Sequence, residues 1–398
     1  MNRLLFILLT ALVFASCTND DSYDLEYFSR TYGNNSSSGT GTDTTTVVPE
    51  ADTLFVSIVY ADGSATLSGD VDKVSISQNG ADVTLTSTTD KFLQLTLSGN
   101  CADGSLMVYS QKMYGIVLGG LQLTNPDGPA INNQCSKALY FTLADNTENV
   151  LTDGEVYAEA PLNAQGKSID QKATLFSEGQ IYFQGTGTLT VNGNAKNGIA
   201  SDDYIVFEDG IISVSVSDTG SNGVKANDGL TISGGTLTIG VTADGARGIR
   251  CDNYTTITGG NTTITTKGDC KLETTDEGEL DASSAAGIKC DSLFTMSGGT
   301  LTITSSGDGG KGINCSSNVE VSGGTLTITT TGGNEDGKPK GIKSDTAIIV
   351  SGGSLTVNVK KSWACDNGVE SEEPADRLTV LGSPKTCTLG KRSVVVSY

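Results

Sequence analysis

The sequence predicts an all-β protein built as a parallel β-helix, a solenoid whose turns of about 25 residues each contribute three short strands. Three observations predict it. One stretch of sequence recurs along most of the chain, each copy alternates apolar and polar residues, and a Gly-Gly pair separates the second and third segments of most copies. No segment shows a helical period, so strands are expected throughout the domain.

The repeat is clearest at 287–303, GIKCDSLFTMSGGTLTI, which returns at 312–328 as GINCSSNVEVSGGTLTI and at 248–264 as GIRCDNYTTITGGNTTI. The spacings between successive Gly-Ile or Gly-Val pairs are 25, 25, 39, 25, 29 and 27 residues. The extra residues follow the TLTI segment, as expected for loops that leave a solenoid at one place. The glycines of these pairs are Gly198, Gly223, Gly248, Gly287, Gly312, Gly341 and Gly368.

Within each copy the alternation has period two, which indicates half-buried strands. Ile288, Cys290 and Ile303 are predicted to point inward, and Lys289 and Thr302 outward. The Gly-Gly pair marks a corner whose backbone needs dihedral angles that glycine adopts readily and other residues do not. From residue 53 to residue 398 the pattern is unbroken, which predicts one domain of about fourteen turns. Its ends are expected to be irregular, because a solenoid must protect the unpaired backbone groups of its terminal strands. We expect this domain to be a monomer.

Composition excludes several classes of function. The net charge is −21, so nucleic acid is not an expected partner. The chain has no histidine, which removes the commonest general base and the commonest transition-metal ligand. Zinc or copper catalysis and Ser-His-Asp chemistry are therefore not expected.

The N-terminus, MNRLLFILLTALVFASC, reads as a targeting segment with a basic residue, a short apolar run and small residues before Cys17. We interpret 1–17 as a lipoprotein signal peptide with Cys17 as the lipid anchor, and the alternative is an ordinary secretory signal with a chance cysteine. Residues 18–52 are rich in Ser, Thr, Gly and Asp and predict a flexible tether. The acidic TNDDS after Cys17 resembles the surface-export signal of Bacteroidota lipoproteins, which implies the outer face of the outer membrane.

Three cysteines, Cys251, Cys290 and Cys315, share one inward column in which Ser201 and other small residues also occur. One interpretation is that the column accepts small apolar side chains. The alternative is a disulfide between neighbouring turns, which an exported protein can form, although parallel side chains make its geometry uncertain.

Two outward columns carry charge. The residue after Gly-Ile/Val gives a cationic column, and the position two residues later gives an acidic one. Stacked cations repel, so something must offset them. The aspartates beside them would give a solvated charge lattice, and an acidic polymer lying along the solenoid would give charge-assisted contacts. The columns are Ala200, Lys225, Arg250, Lys289, Asn314 and Lys343, and Asp202, Asn227, Asp252, Asp291, Ser316 and Asp345.

The acidic column also predicts calcium, because this hard cation takes several carboxylate and carbonyl oxygens. The insertion between 268 and 286 is acidic as well, and it is either a further source of ligands or a soluble loop. The candidate metal ligands are Asp202, Asp203, Asp252, Asp291 and Asp345.

Exposed aromatic residues are few, but Tyr204 and Tyr254 share a column and could stack on sugar rings. Outward Thr-x-Thr pairs such as Thr300 and Thr302 form a further regular surface. It resembles the faces of ice-binding solenoids, could equally rest on crystalline cellulose, and is also what an exposed strand favours.

The stretches NVLTDGEVY at 149–157 and ATLFSEGQIYFQGTGTLTVNGNAKNGIASDDYI at 173–205 resemble the secreted carbohydrate-binding β-helix proteins of cellulolytic clostridia and Bacteroidota. The later GIK-[CS]-D…SGGTLTI turns extend the resemblance over roughly 53–395. It implies a right-handed helix like that of pectate lyases, binding of cellulose or acidic pectin-like sugars, bound calcium and no established catalysis. Ser201–Asp203 match the acidic turns of that family best, and Ser316 interrupts the row.

Three functions follow as alternatives. The favoured one is a surface-anchored protein that binds a linear, acidic or cellulosic polysaccharide with the help of calcium and without catalysis. The second is a calcium-dependent lyase in which Arg247, Arg250 or Lys289 abstracts the proton alpha to a uronate carboxylate. The third is an adhesin or structural spacer. The residues expected to bind carbohydrate are Lys225, Arg247, Arg250, Lys289, Lys343, Tyr204 and Tyr254.

Overall fold

A computed structural model describes residues 52–398 apart from 164, 275–277, 279, 284 and 334–336, and for 273 and 280–283 it describes the backbone alone. The predicted lipid anchor at Cys17 and nearly all of the predicted tether lie outside the described residues. Within the described part, no helix is long and apolar enough to cross a membrane.

The polypeptide winds as a parallel β-solenoid of about eleven turns of roughly 25 residues, which confirms the predicted fold class. Each regular turn places one strand on each of three faces. The first face contains the repeat glycines, and its strands are β3 (Ser75–Asn79), β4 (Asp82–Ser87), β6 (Ser105–Ser110), β8 (Ile131–Asn133), β11 (Ala173–Ser177), β14 (Asn197–Ser201), β17 (Val224–Ala226), β20 (Arg247–Cys251), β25 (Ala286–Cys290), β28 (Lys311–Cys315), β31 (Lys340–Ser344) and β34 (Trp363–Asp366).

The second face follows the first around a corner. Its strands are β1 (Thr53–Ala61), β5 (Phe92–Cys101), β7 (Tyr114–Asn125), β9 (Leu139–Leu143), β12 (Ile181–Gly185), β15 (Tyr204–Phe207), β18 (Gly229–Ile232), β21 (Tyr254–Ile257), β26 (Phe294–Met296), β29 (Val319–Val321), β32 (Ile348–Val350) and β35 (Thr379–Val380).

The third face carries the TLTI segments and begins where the end of β7 pairs with β10. Its strands are β10 (Glu148–Asp153), β13 (Thr188–Gly193), β16 (Ile211–Val216), β19 (Thr236–Val241), β22 (Asn261–Thr266), β27 (Thr300–Ser305), β30 (Thr325–Thr330), β33 (Ser354–Val359), β36 (Thr386–Leu389) and β37 (Ser393–Ser397). The insertion after β22 forms the antiparallel pair β23 (Lys271–Thr274) and β24 (Leu280–Ser283).

The core is a column of stacked apolar side chains. Ile249, Ile288, Ile313 and Ile342 lie in register on the first face, and each is fully buried. Cys251, Cys290 and Cys315 form the adjacent inward column, as predicted. This burial of apolar surface is the main source of stability in such a fold.

Glycine is required at two recurring places. The second residue of each Gly-Gly corner, such as Gly260 or Gly299, has a positive φ of 73° or 72°, which is strained for other residues. The repeat glycine lies against the core, where a Cβ on Gly248 would come within 2.2 Å of Ile264 Cγ2. Glycine therefore recurs at both positions in the regular turns.

The last repeat differs from the prediction. Lys340 pairs with Trp363 and Ile342 with Cys365, so the counterpart of Gly341 is Ala364 and not Gly368. Gly368 lies beyond the strand, in a turn with a φ of 80°. The number of turns is also lower than the predicted fourteen. Long loops at 154–172 and 268–286 take residues out of the stack, and so do antiparallel strands at the ends, including β2 (Ser64–Gly69) against β1 and β36 against β37.

Candidate functional site

The cationic column predicted from the repeat exists on the first face. Lys225, Arg250 and Lys289 lie on three neighbouring strands in register, followed by Asn314 and Lys343. Arg250 and Lys289 are neighbours although 39 residues separate them, because the insertion leaves the stack as β23 and β24. Adjacent members are therefore about 4.8 Å apart along the solenoid.

One member of the column does not face solvent. Ala200 was expected to be exposed by alternation but is 2% exposed, and it clusters with Ala173 and Phe176. The loop at 154–172 crosses this part of the first face, where Asn132 Nδ2 donates to the backbone carbonyl of Asp170 at 3.0 Å. The alternation of apolar and polar residues predicts which side chains point out of the solenoid, but it does not show whether a loop covers them.

The cations alternate with carboxylates. Lys225 Nζ lies 3.5 Å from Asp252 Oδ2, and Arg250 Nε donates to Asp252 Oδ1 at 2.8 Å. Arg250 also reaches Asp291 with its terminal nitrogens, the shorter contact being 2.5 Å, and Lys289 pairs with the same carboxylate. Three cations thus share two carboxylates, which leaves one positive charge in excess along this stretch.

A groove of about 450 Å³ opens beside this chain of charges. Its lining is almost entirely polar and includes three of the residues predicted to bind carbohydrate. Asn222 links Asn197 to Arg247, since its Nδ2 donates to Asn197 Oδ1 at 2.9 Å and its Oδ1 accepts the backbone N–H of Arg247 at 3.1 Å. The lining residues are Lys225, Arg247, Arg250, Asp252, Asn197, Ser221 and Asn222.

A second cationic column was missed by the sequence reasoning. Arg247, Ala286, Lys311 and Lys340 lie in register along the first face. The signal was present, because each of them directly precedes a repeat glycine. Lys340 forms an ion pair with Asp366. Asp366 lies in register with Lys343, the last cation of the first column.

Lys311 is the most unusual cation of this face. Its residue is 8% exposed. Burial lowers the pKa of Lys311 to about 8, and the positive charges of Lys343, Lys340 and Arg247 also lower it. A lysine held in this way exists partly as a neutral amine near pH 7, which makes it competent as a base.

The two tyrosines lie around the corner, on the second face and outside the groove lining. Tyr204 is half-buried, and its hydroxyl contacts that of Tyr182. Tyr254 is 39% exposed and lies over Gly229, where a Cβ would come within 2.4 Å of its Cζ. The structure therefore confirms their shared column, and Tyr254 is the one that presents a ring to solvent.

Among the described residues, no three of the five predicted metal ligands come together as one cluster. Asp252 and Asp291 are bound by the cations described above, and Asp345 pairs with Lys343 at 2.5 Å. Asp203 accepts hydrogen bonds from Gln180 Nε2 at 2.5 Å and from the backbone N–H of Tyr204 at 2.9 Å. These carboxylates are each occupied by a partner within the protein.

Asp202 lies in a different setting. Its carboxylate oxygen and those of Asp170 and Glu178 are all within 4.8 Å of one another. Lys172 Nζ bridges two of them, at 2.5 Å from Asp202 and 2.6 Å from Asp170. Burial raises the pKa of Glu178 to about 7, as do the negative charges of Asp202 and Asp170, against the opposing effect of Lys172. Neither Asp170 nor Glu178 was singled out in the sequence, because they come from different strands and loops.

The third face carries the predicted threonine columns. Thr238, Thr263, Thr302, Thr327 and Thr356 lie in register, and none of these described residues is buried. The face is regular and uncharged along this column, in contrast to the first face.

Comparisons with known proteins bear on the family and the fold. A family model described as carbohydrate-binding domain-containing protein matches residues 79–270, 241–337 and 294–377. A protein of the same description from Acetivibrio thermocellus is 32% identical over 146 residues, which are 36% of this chain, so that the chain spans 47% of that relative. A solved structure of a polysaccharide lyase-like protein from C. thermocellum, a gadolinium derivative, superposes with a TM-score of 0.53 at 28% identity, covering 67% of this chain and 97% of the other.

Proposed function

Because the chain belongs to the family of carbohydrate-binding domain-containing proteins, we propose that it binds a linear acidic polysaccharide along the cationic column of the first face. The observation that carries this proposal is the in-register stack of Lys225, Arg250 and Lys289 beside a polar groove. A cation recurs at each strand spacing of about 4.8 Å, which is comparable with the length of one sugar unit. Solenoid and polymer are both one-dimensional repeats, so one contact can be made many times.

The chemistry suits uronate sugars. Arg250 and Lys289 can exchange part of their contact with Asp291 for a sugar carboxylate, which they bind by charge-assisted hydrogen bonds. Asn197, Ser221 and Asn222 supply amide and hydroxyl groups for sugar hydroxyls at the groove. Since the contacts are ionic and partly exposed to solvent, the affinity should fall as salt is added.

The competing interpretation is that the cations and aspartates only neutralise one another. In that case removing Arg250 and Lys289 together would change stability slightly and leave sugar binding unchanged. The proposal predicts instead that Arg250→Ala with Lys289→Ala weakens binding to polygalacturonate about tenfold or more, since about 1.4 kcal/mol of lost contact corresponds to a factor of ten.

The measurement is affinity electrophoresis of the full chain through gels that contain polygalacturonate, a cellulose derivative or a neutral glucan. Lys267→Ala is the matched control, because Lys267 is an exposed lysine that follows β22 at the end of the third face and is not part of the groove lining. Retardation by polygalacturonate that is lost in the double variant and kept in Lys267→Ala supports the proposal. Equal retardation of all three proteins would remove the cationic column from the binding site.

Calcium binding stays a prediction, and Asp202 is the predicted ligand with the most suitable surroundings. Three carboxylates fit a hard cation in donor type, and the Lys172 ammonium already occupies the position of a positive charge among them. We expect Asp202→Asn to abolish any retardation that depends on calcium. If chelator leaves the retardation of the wild type unchanged, calcium has no part in binding.

A polysaccharide lyase is the second candidate, and Lys311 is the observation that favours it. With a pKa of about 8, roughly a tenth of its amines are neutral at pH 7 and could accept the proton alpha to a uronate carboxylate. The arginines considered from the sequence are poorer bases, because a guanidinium does not lose its proton in proteins. Unsaturated sugar formed by the wild type and not by Lys311→Met would establish this activity, and its absence from the wild type would exclude it.

The proposal includes attachment to the outer membrane through Cys17, with the solenoid as a monomer facing outward. Several acyl chains on one cysteine are sufficient for stable anchoring. Cys17→Ser should release the protein from the membrane fraction of the cells that make it. Retention of the variant in that fraction would show that another element holds it there.

A further inference from the structure

The inward cysteine column of the first face contains three consecutive thiols. Cys251, Cys290 and Cys315 occupy the same register position on β20, β25 and β28, and each is at most 1% exposed. Other turns place Ala226 or Ser344 at this position, so a cysteine is not needed to fill it. The sequence left open whether the thiols only pack or also bond.

Their side chains point in different directions. Cys251 Sγ donates to the backbone carbonyl of its own corner, Tyr254 O, at 3.0 Å. Cys290 Sγ instead points along the solenoid and lies 3.2 Å from Cys315 Sγ. The column is therefore divided into one separate thiol and one adjacent pair.

The backbone permits a bond within the pair. Neighbouring in-register strands are about 4.8 Å apart, which lies inside the range of about 4.4–6.8 Å found for the Cα atoms of disulfides. The side chain of Cys290 turns along the solenoid and brings its Sγ to 3.2 Å from Cys315 Sγ. Cys315 Sγ itself lies 2.7 Å from the carbonyl oxygen of Ser292 and 3.3 Å from that of Asn318, so bond formation needs only this second side chain to leave its corner.

We propose that Cys290 and Cys315 form a disulfide that joins two neighbouring turns, and that Cys251 remains a thiol. Each of the two thiols loses one proton and one electron. The two electrons reduce an oxidant of the disulfide class, small-molecule or protein, to two thiols. Because both sulfurs are buried in the folded solenoid, the bond forms while the turns assemble.

The bond joins two turns that contribute to the cationic column. Lys289 and Asn314 are the outward neighbours of the two cysteines on β25 and β28, and the insertion at 268–286 enters the stack just before β25. A covalent link here closes a loop that spans all three faces and restricts the unfolded chain. It would hold these two turns together where a long insertion interrupts the repeat.

The test is to refold the full chain in a buffer of reduced and oxidised glutathione, block free thiols, and map proteolytic peptides by mass spectrometry without reduction. We expect a linked peptide pair containing Cys290 and Cys315 that is two hydrogens lighter than its reduced components, and an alkylated Cys251. A bond between Cys251 and Cys290, or alkylation of both Cys290 and Cys315, would overturn the proposal.

Stability gives a second readout. Reductant should lower the thermal midpoint of the wild type and of Cys251→Ala, and should have no such effect on Cys290→Ala with Cys315→Ala. Alanine already occupies this column at Ala226, so these variants retain a side chain that the fold accepts. An equal response to reductant in all three proteins would show that the bond is not between Cys290 and Cys315.

Discussion

Replacing Glu178 by glutamine should stabilise the solenoid above pH 7 and leave its stability unchanged below pH 4. Glu178 is partly buried and faces Asp170 and Asp202, with Lys172 as the nearby cation. Its pKa is raised by burial from 4.5 to about 7, so the folded protein holds this proton more tightly than the unfolded chain does. Stability is therefore lost as pH rises from about 4.5 to about 7, because the folded state must then carry a poorly solvated charge.

The size of the effect follows from the shift. A rise of the Glu178 pKa from 4.5 to about 7, at about 1.36 kcal/mol for each pKa unit, corresponds to a loss of about 3 kcal/mol in the free energy of unfolding. Solvent reaches part of this carboxylate and screens it, which reduces the expected gain to about 1–2 kcal/mol. Glutamine has the shape of the protonated acid and cannot ionise, so Glu178→Gln should retain at pH 8 the stability that the wild type has lost.

The assay is urea unfolding of the full chain between pH 4 and pH 8 in the presence of chelator. The quantity compared is the free energy of unfolding of Glu178→Gln minus that of the wild type, which removes the titration of all other groups. Glu148→Gln, at an exposed position at the start of β10, reports the effect of the same substitution outside the cluster. A difference for Glu178→Gln that is the same at pH 4 and pH 8 would refute the reasoning.

Two further predictions concern the stack itself. Ile303→Asp buries an unpaired charge at a fully buried position and should cost at least about 4 kcal/mol in urea unfolding, whereas Thr302→Asp on the outer side of the same strand should change stability by about 0.5 kcal/mol or less. A stable Ile303→Asp protein would mean that the inward assignment is wrong. Gly248→Ala should cost about 1–3 kcal/mol because its Cβ would meet Ile264 Cγ2 at 2.2 Å, while Gly240→Ala, with no atom within 4 Å, should be neutral in thermal unfolding. Equal thermal midpoints for the two alanine variants would contradict this account of the repeat glycine.

Much of the fold could be predicted because every turn of a solenoid follows the same short sequence pattern. Each turn repeats the same alternation, so inward Ile288 and outward Lys289 follow from sequence spacing alone. The same regularity led to one error. Gly368 matched the repeat in spacing, but hydrogen bonding places Ala364 in the stack, since the last turn is shortened where the C-terminal strands begin to cover the end.

The candidate site was only partly predictable. The cationic column was found because it repeats, and Arg250 does stand beside Lys289 across the long insertion. The burial of Ala200 and the depressed pKa of Lys311 were not found, since neither depends on the repeat. Burial at an outward position depends on which loop crosses it, and the course of a loop does not follow the sequence repeat.

By itself the sequence determined the architecture, the register of the stacked columns and the charge of the first face, because all three are properties of a repeated local pattern. The tertiary structure alone decided which charges meet. It brought Asp170, Glu178 and Asp202 together, paired Asp291 with two cations, and turned Cys290 towards Cys315 and Cys251 away. These contacts join residues from different turns and loops, and their energies depend on distance and burial, which only the folded chain sets.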